Sequence, residues 1–157
     1  MWPCCGTINV KSLGGATYFV TFIDDASKKV WDFLIKSKDQ FFETFQKFHM
    51  VVERETNILL RYIRIDNGGK FCSNVFEEYC SKKHVKIVPG SLQQNRTTER
   101  MNRTIMEKVR STLSNFGLPK KIWVAVVRTA WYLINSSPTT ALDGGIPEKV
   151  WTGKDLC

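Results

Sequence analysis

The stretch Arg64-Ile65-Asp66-Asn67-Gly68-Gly69 decides the fold that we expect for this chain. Residues 61–65 show the alternation of a short strand, and the Asn-Gly-Gly that follows ends the strand at once. Asp66 is therefore left at the carboxyl end of a strand. Because α/β sheets place their chemistry at that end, the stretch predicts an α/β domain with Asp66 at its functional edge.

Residues 95–104 contain the acid that could meet Asp66. Glu99 stands near the start of a helical run, and two carboxylates brought together at one sheet edge can hold a divalent cation. A simpler interpretation is also open, in which Asp66 is a turn residue and Glu99 favours the positive end of its helix dipole. Spacing alone does not choose between the two.

Length and charge limit the class of protein. The 157 residues are expected to form one domain that buries roughly two-thirds of its unfolded surface. The net charge of +8 and the pI near 9.4 favour a polyanionic partner, since clustered Lys and Arg release counterions from a phosphate backbone. Charge alone names no particular nucleic acid.

Cysteine use and hydropathy indicate an intracellular protein. The five cysteines have no repeating spacing, so neither a disulfide framework nor a zinc module is indicated. His49 and His84 have no Cys or His partner at ligand spacing and are expected to be structural. No apolar run has the length of a signal-peptide core or a membrane span, so we expect no membrane partner. The sequence does not distinguish a nuclear from a cytoplasmic location.

Periodicity in the first half predicts strands and helices in alternation. We expect strands at 16–23, 29–35, 61–65 and 85–88, a helix between Ser37 as its cap and Asn57, and a second helix at 73–83. The first two strands are joined by a short turn and should pair as an antiparallel hairpin. Inward-facing positions of the two helices are Phe41, Phe42, Phe45, Phe48, Val52, Val75, Phe76, Tyr79 and Cys80.

The second half is expected to be mainly helical. After Pro89-Gly90-Ser91 we expect a loop through Asn95, then a helix capped by Thr97 and ended by Gly117. Pro119 is typical of the first turn of a further helix, which should be buried on most sides and end by Pro138. Inward positions of the first helix are Met101, Ile105, Val109, Thr112 and Phe116, and Val150-Trp151 should anchor the tail on the body.

Five stretches carry a family resemblance across nearly the whole chain. They are GGATYFVTFIDD (14–25), RIDNGG (64–69), TERMNRT (98–104), YLIN (132–135) and PEKVWTGK (147–154). Together they resemble the integrase core of plant copia-type retrotransposon Pol polyproteins. The resemblance implies a ribonuclease-H-like α/β fold, a mixed five-stranded sheet flanked by helices. The domain limits that it implies are 1–15 for a degenerate first strand, 16–138 for the catalytic core and 139–157 for a C-terminal extension.

The same resemblance implies a metal-dependent reaction on DNA. The family's enzyme inserts element DNA into host DNA with two Asp and one Glu that hold two Mg²⁺ (or Mn²⁺) ions. Hard oxygen ligands suit these ions, which help generate the nucleophile and stabilise the leaving 3′ oxygen. Asp66 matches the second Asp and Glu99 the Glu, so both are the expected catalytic and metal-binding residues.

The first Asp of the family is missing from this chain. It should lie on the opening strand shortly before a Gly-Pro pair, and the matching stretch here is Pro3-Cys4-Cys5-Gly6-Thr7. Asp24 and Asp25 could replace it only if they lay nearby. Eight residues of strand span about 26 Å, so we expect antiparallel pairing to place them at the opposite end of the sheet, as ordinary turn residues.

Other departures from the family weaken the expected metal site. Lys70 stands where the family has an acid, Arg96 replaces a flexible Gly, and the interval from Asp66 to Glu99 is a few residues shorter than usual. Losses around a metal site commonly cost ten- to a hundredfold in affinity or activity. We therefore expect that the chain keeps a recognisable fold, that its metal site is poorly occupied, and that its catalysis is defective.

DNA contact is a separate expectation. Arg96, Arg100, Arg103 and Arg110 recur at helical spacing on the flank opposite Ile105, and Lys108 adds to their charge. Asn102 and Arg103, beside Glu99, are the expected contacts to a DNA end. The alternative is a solvated helix face without a partner.

Three functions stay open on the sequence. The first is an integrase core that binds nucleic acid, and can form a homodimer, but lacks competent catalysis. The second is an active nuclease or strand transferase with a substitute third ligand. The third is a noncatalytic protein-interaction module built on the integrase fold.

Overall fold

The computed structural model describes residues 2–7, 10–65, 74–90 and 92–153, of which 2–7, 92–95, 97 and 98 are described by their backbone alone. The strands are β1 (Trp2–Thr7), β2 (Tyr18–Ile23), β3 (Val30–Ile35), β4 (Tyr62–Ile65) and β5 (Lys86–Pro89). The helices are α1 (Phe41–Thr56), α2 (Asn74–Lys82), α3 (Leu92–Asn115), α4 (Trp123–Ser136) and α5 (Pro147–Thr152). Short 3-10 turns lie at Lys38–Gln40, Lys120–Ile122 and Thr140–Leu142.

The five strands form one antiparallel and one parallel ladder. In the first ladder β2 lies between β1 and β3, with Trp2 opposite Ile23. In the second, β4 and β5 run parallel. Cα atoms of β1 and β4 come within 8 Å of each other, so the two ladders adjoin. The predicted antiparallel hairpin is confirmed, whereas the expected single five-stranded sheet is observed as two adjoining ladders without ladder pairing between β1 and β4 in the described residues.

Helices cover both faces of the sheet, as the alternation of β2 requires. Phe22 faces α1 and stacks on Phe48, with ring centroids 4.1 Å apart. Phe19 faces the opposite way and packs edge-on against Trp131 of α4, at 5.4 Å. The inward positions of α1 that are fully buried are Phe41, Phe45, Phe48 and Val52, which confirms the predicted apolar face. Asn57, in the left-handed conformation, ends this helix where it was expected to end.

Three side-chain predictions about the helices were wrong. Helix α2 buries only the stripe of Phe76 and Cys80, four residues apart, and Val75 is 57% exposed. Phe116 is 74% exposed because α3 ends one residue before it. Ser37 precedes a 3-10 turn and makes no capping hydrogen bond to it.

The boundaries of α3 and α4 also differ from prediction. A loop through Asn95 was expected, but α3 begins at Leu92, so Thr97 lies inside the helix. The polar run has no apolar stripe to signal a helix, and its propensities allow one. Pro119 was expected in the first turn of α4 but precedes the 3-10 turn that leads into it.

The chain's last helix is anchored on the sheet, as predicted. Trp151 of α5 meets Trp31 of β3 edge-on, with ring centroids 4.7 Å apart. Val150, its neighbour, is exposed and takes no part in the anchor. Within the described ranges, no helix is long and apolar enough to cross a membrane.

Candidate nucleic-acid interface and catalytic edge

The end of β4 is where the sequence predicts the catalytic edge. Ile63 and Ile65 are buried and fix the strand against the core. The Gly90 amide donates to the Ile65 carbonyl at 3.2 Å, which ties the end of β4 to the end of β5. Asp66 follows directly and lies outside the described residues, as does Lys70. The strand end is therefore confirmed, and the placement of the Asp66 carboxylate stays a prediction.

Strand β1 is the segment that the resemblance matches to the family's first catalytic strand. It lies beside β2 in register, with Pro3 opposite Phe22 and Thr7 opposite Tyr18, and it adjoins β4. Residues 2–7 contain no Asp or Glu. A degenerate first strand was predicted for this segment, and the backbone does form a strand there.

The expectation that Asp24 and Asp25 lie far from the catalytic edge is wrong. Because β1 begins at Trp2, opposite Ile23, the turn after β2 lies beside the start of β1. Asp25 forms an ion pair with Arg64 of β4, two residues before Asp66. The estimate from strand length failed because it did not fix the register of β1.

The two acids of this turn have different roles. Asp24 shapes the turn: its Oδ2 accepts hydrogen bonds from the Ser27 amide at 2.8 Å and the Ser27 hydroxyl at 2.9 Å. Asp25 faces the Arg64 guanidinium, which already supplies it with a counter-charge. A divalent cation at Asp25 would have to share the carboxylate with this guanidinium or displace it.

Four predicted DNA-binding arginines share one exposed face of α3. Arg96, Arg100, Arg103 and Arg110 are all exposed, and we call this set the arginine face. Ile105 and Val109 are fully buried on the other side of the helix. No ion pair within the described part of the chain engages these four guanidinium groups.

The other three predicted residues of α3 divide between this face and its flanks. Glu99 is exposed and falls within the arginine face, because residues three and four apart lie together on a helix. Lys108 is turned roughly 120° away from the centre of the arginine face in projection and lines the groove between α3 and α4. Asn102 is half-buried on the opposite flank. The structure therefore brings together four arginines and Glu99, but neither Lys108 nor Asn102.

Only one of the two predicted metal ligands lies among the described residues. Among them, no group of three or more His, Cys, Asp or Glu side chains could hold an ion. Glu99, the one predicted ligand that the structure describes, stands among guanidinium groups on its own helix. His49 is buried, with Nε2 3.0 Å from Glu53 Oε1 and Nδ1 3.1 Å from the Tyr79 hydroxyl, so its structural role is confirmed.

Two pKa shifts accompany buried groups outside the arginine face. Burial raises the pKa of Asp32 on β3, and the nearby charge of Arg128 opposes that shift. Burial also raises the pKa of Tyr79, with Glu53 and Cys80 contributing. A raised pKa keeps the Tyr79 phenol protonated, which suits a hydrogen-bond partner of His49 rather than a nucleophile.

Sequence reasoning missed two polar side chains that hold the domain together. Asn135, in YLIN, accepts from the Val30 amide at 2.9 Å and donates to the Val30 carbonyl at 2.8 Å, which closes the free edge of β3. Lys29 is buried, and its Nζ lies 3.0 Å from Glu148 Oε1 and over the rings of Trp31 and Trp151. In the sequence, Asn135 was marked only by its place in the YLIN motif, and Lys29 only by its place at the start of a hairpin strand.

Sequence comparisons relate the chain to much longer polyproteins. It is 56% identical over 155 residues to the retrovirus-related Pol polyprotein from transposon TNT 1-94 of Nicotiana tabacum, which covers 97% of this chain and 12% of that protein. It is 32% identical over 136 residues to the retrovirus-related Pol polyprotein from transposon RE2 of Arabidopsis thaliana, covering 85% of this chain and 9% of that protein. No protein-family model matches the chain.

Solved structures with a similar fold are integrase catalytic cores. The catalytic core domain of BIV integrase has a TM-score of 0.67 and 16% identity, over 97% of this chain and 92% of that one. The HTLV-2 integrase catalytic core domain in complex with magnesium, in its dimeric form, has a TM-score of 0.67 and 18% identity, over 96% and 93%. The predicted ribonuclease-H-like fold is confirmed.

Proposed function

The chain belongs to the retrovirus-related Pol polyproteins of plant transposons and has the fold of an integrase catalytic core, and we propose that it binds DNA but has lost strand-transfer catalysis. The observation that carries the proposal is the arginine face of α3. Its guanidinium groups are exposed, lie on one side of a 24-residue helix, and are not in ion pairs with other described residues. Such a strip can follow phosphates along a duplex.

Loss of catalysis is proposed from the state of the catalytic edge. Strand β1 supplies no carboxylate, and Asp25, in the turn beside the start of β1, is paired with Arg64. The HTLV-2 core was solved with magnesium, and in the family Asp66 and Glu99 would be ligands of Mg²⁺ or Mn²⁺. Since β1 offers no third carboxylate for such an ion, we derive no metal-dependent step for this chain.

DNA binding is tested with a labelled duplex across a salt series. Loss of Arg96, Arg100 and Arg103 in one triple alanine variant should weaken binding and lower the slope of log K against log salt by about three, roughly one for each phosphate contact. A matched triple, Arg54→Ala/Lys82→Ala/Lys83→Ala, removes the same charge from exposed positions on or next to other helices. It should change the slope little.

The alternative, a noncatalytic protein-interaction module, predicts a different result. Wild-type affinity for the duplex would then be weak and equally sensitive to both triple variants, because only net charge would matter. A slope that falls equally in both would contradict the assignment of DNA binding to α3.

We also propose that the core forms a homodimer. Helix α4 exposes Tyr132 and Leu133, and α1 exposes Met50 and Val51, large apolar side chains of the kind that interfaces bury. The HTLV-2 core was solved as a dimer. Sedimentation of the wild type should show a dimer that Leu133→Asp dissociates, and a wild-type monomer at high concentration would contradict the proposal. We further propose an intracellular location, because the proposed partner is DNA.

A further inference from the structure

A cavity of about 390 Å³ opens at the end of the sheet opposite the catalytic edge. Its walls are residues 12–16 between β1 and β2, the end of β3, and the start of α4. Strand β2 begins at this end, whereas the turn with Asp25 follows its other end. We call the cavity the lysine pocket. None of its lining residues belongs to α3, so it is separate from the arginine face.

The lysine pocket has an apolar floor and a cationic rim. Leu34, Ile122 and Val124 contribute to the floor. Lys36 and Lys121 line the cavity and are exposed to solvent. Further exposed lysines stand next to lining residues along the chain, and they are Lys11 and Lys120. Within the described ranges, no ion pair engages any of these four lysines.

Hydrogen bonds hold the walls of the pocket in place. The Ser12 hydroxyl accepts from the Ala16 amide at 2.9 Å, which closes the turn that forms one wall. The Leu13 amide donates to the Lys121 carbonyl at 3.2 Å and joins that wall to the start of α4. The Trp123 indole donates to the Val10 carbonyl at 2.9 Å. A wall fixed in this way needs little ordering when a ligand binds.

We propose that the lysine pocket binds a segment of a partner protein in which apolar side chains are flanked by carboxylates. The floor would take one or two apolar side chains, and Lys36 and Lys121 would face the acids on either side. Pockets of about 300 Å³ and more hold ligands of this size. A nucleic acid fits less well, because its polar backbone would meet the lysines and leave the apolar floor exposed to water.

The test uses fluorescence anisotropy with the labelled hexapeptide Glu-Asp-Leu-Phe-Asp-Glu. Two control peptides separate the contributions: Glu-Asp-Ser-Ser-Asp-Glu keeps the charge, and Lys-Lys-Leu-Phe-Lys-Lys keeps the apolar pair. Only the first peptide should bind. The exposed-surface variant Lys36→Glu/Lys121→Glu should weaken its binding by about tenfold or more, whereas Lys82→Glu/Lys83→Glu on another surface should not.

A second pair of variants tests the cavity itself. Ala125→Trp adds a large ring at a position that lines both the lysine pocket and the groove between α3 and α4, and it should also weaken peptide binding. Thr129→Trp, one turn further along α4, lines the groove with α3 and not the lysine pocket, so it should leave peptide binding unchanged. Thermal melts check folding, and the exposed lysine pair carries the test if Ala125→Trp does not fold.

Three results would overturn the proposal. The first is no binding of Glu-Asp-Leu-Phe-Asp-Glu at millimolar concentrations. The second is equal binding of the serine peptide, which would mean a response to charge alone. The third is displacement of the peptide by duplex DNA whose own binding falls in Lys36→Glu/Lys121→Glu, because the lysines would then be a phosphate surface. Peptide binding does not depend on the arginine face, so failure here leaves DNA binding by α3 untouched.

Discussion

Replacing Lys29 by Met should loosen the attachment of α5 to the sheet. Lys29 is 8% exposed, and its ammonium group lies 5.2 Å from the centroid of the Trp31 ring and 5.6 Å from that of Trp151. The same group is 3.0 Å from Glu148 Oε1 and 3.9 Å from Glu55 Oε2. Met keeps most of the apolar stem and its packing, so the substitution removes mainly the charge.

The expected cost follows from these contacts. Cation–π contacts that are largely shielded from water contribute about 1–2 kcal/mol. The ion pair with Glu148 adds about 1 kcal/mol, a reduced value because the Glu148 side chain keeps 26% exposure and can be solvated when Lys29 is gone. Recovery of the desolvation cost of the ammonium offsets part of the sum. Lys29→Met should therefore lower the free energy of unfolding by about 2 kcal/mol, or lower Tm by roughly 4–8 °C.

Urea unfolding measures this change against a matched control. Lys47 and Glu43 form an ion pair of similar length, 2.8 Å, but their side chains are 60% and 62% exposed. Lys47→Met should change stability by less than the error of the measurement. If Lys29→Met proves as stable as Lys47→Met, the buried cation does not hold α5, and the reasoning from burial is refuted.

Two further predictions concern the sheet. Asn135→Ala should lower the free energy of unfolding by about 2 kcal/mol, because the amide and carbonyl of Val30 at the sheet edge lose their partners. The same urea experiment measures it, with Asn115→Ala, at an exposed position, as the control. Asp32→Asn should become progressively more stable than the wild type as the pH rises above 3.8: the folded-state pKa of Asp32 is raised by burial, so the unfolded state loses its proton first. Stability curves from acid to neutral pH would show this divergence, and the opposite trend would mean that the charge of Arg128 outweighs burial.

The elements that could be predicted from sequence are those with a strong apolar period. The phenylalanines of α1 recur at three and four residues, and the β2–β3 hairpin alternates around a short turn, so both were predicted close to their observed limits. The start of α3 has no such period. After Leu92 the residues up to Arg100 are polar, so a helix there is compatible with their propensities but is not signalled by an apolar face.

Only the part of the candidate site that depends on neighbours within one helix could be predicted from the sequence. The arginine face follows from helical spacing within one segment, and it was predicted correctly as a shared exposed face. The position of Asp25 depends on the register between β1 and β2 and on Arg64, which lies on another strand. The hydrogen bonds of Asn135 to Val30 span 105 residues, a separation over which periodicity carries no information.

The most direct test of the central claim is a nicking and strand-transfer assay with Mg²⁺ and with Mn²⁺, in which Asp66→Asn is measured beside the wild type. A core without a carboxylate on β1 should bind the duplex and give no product above background, with the same result for both proteins. Metal-dependent product from the wild type that disappears in Asp66→Asn would show a competent site and would contradict the proposed loss of catalysis.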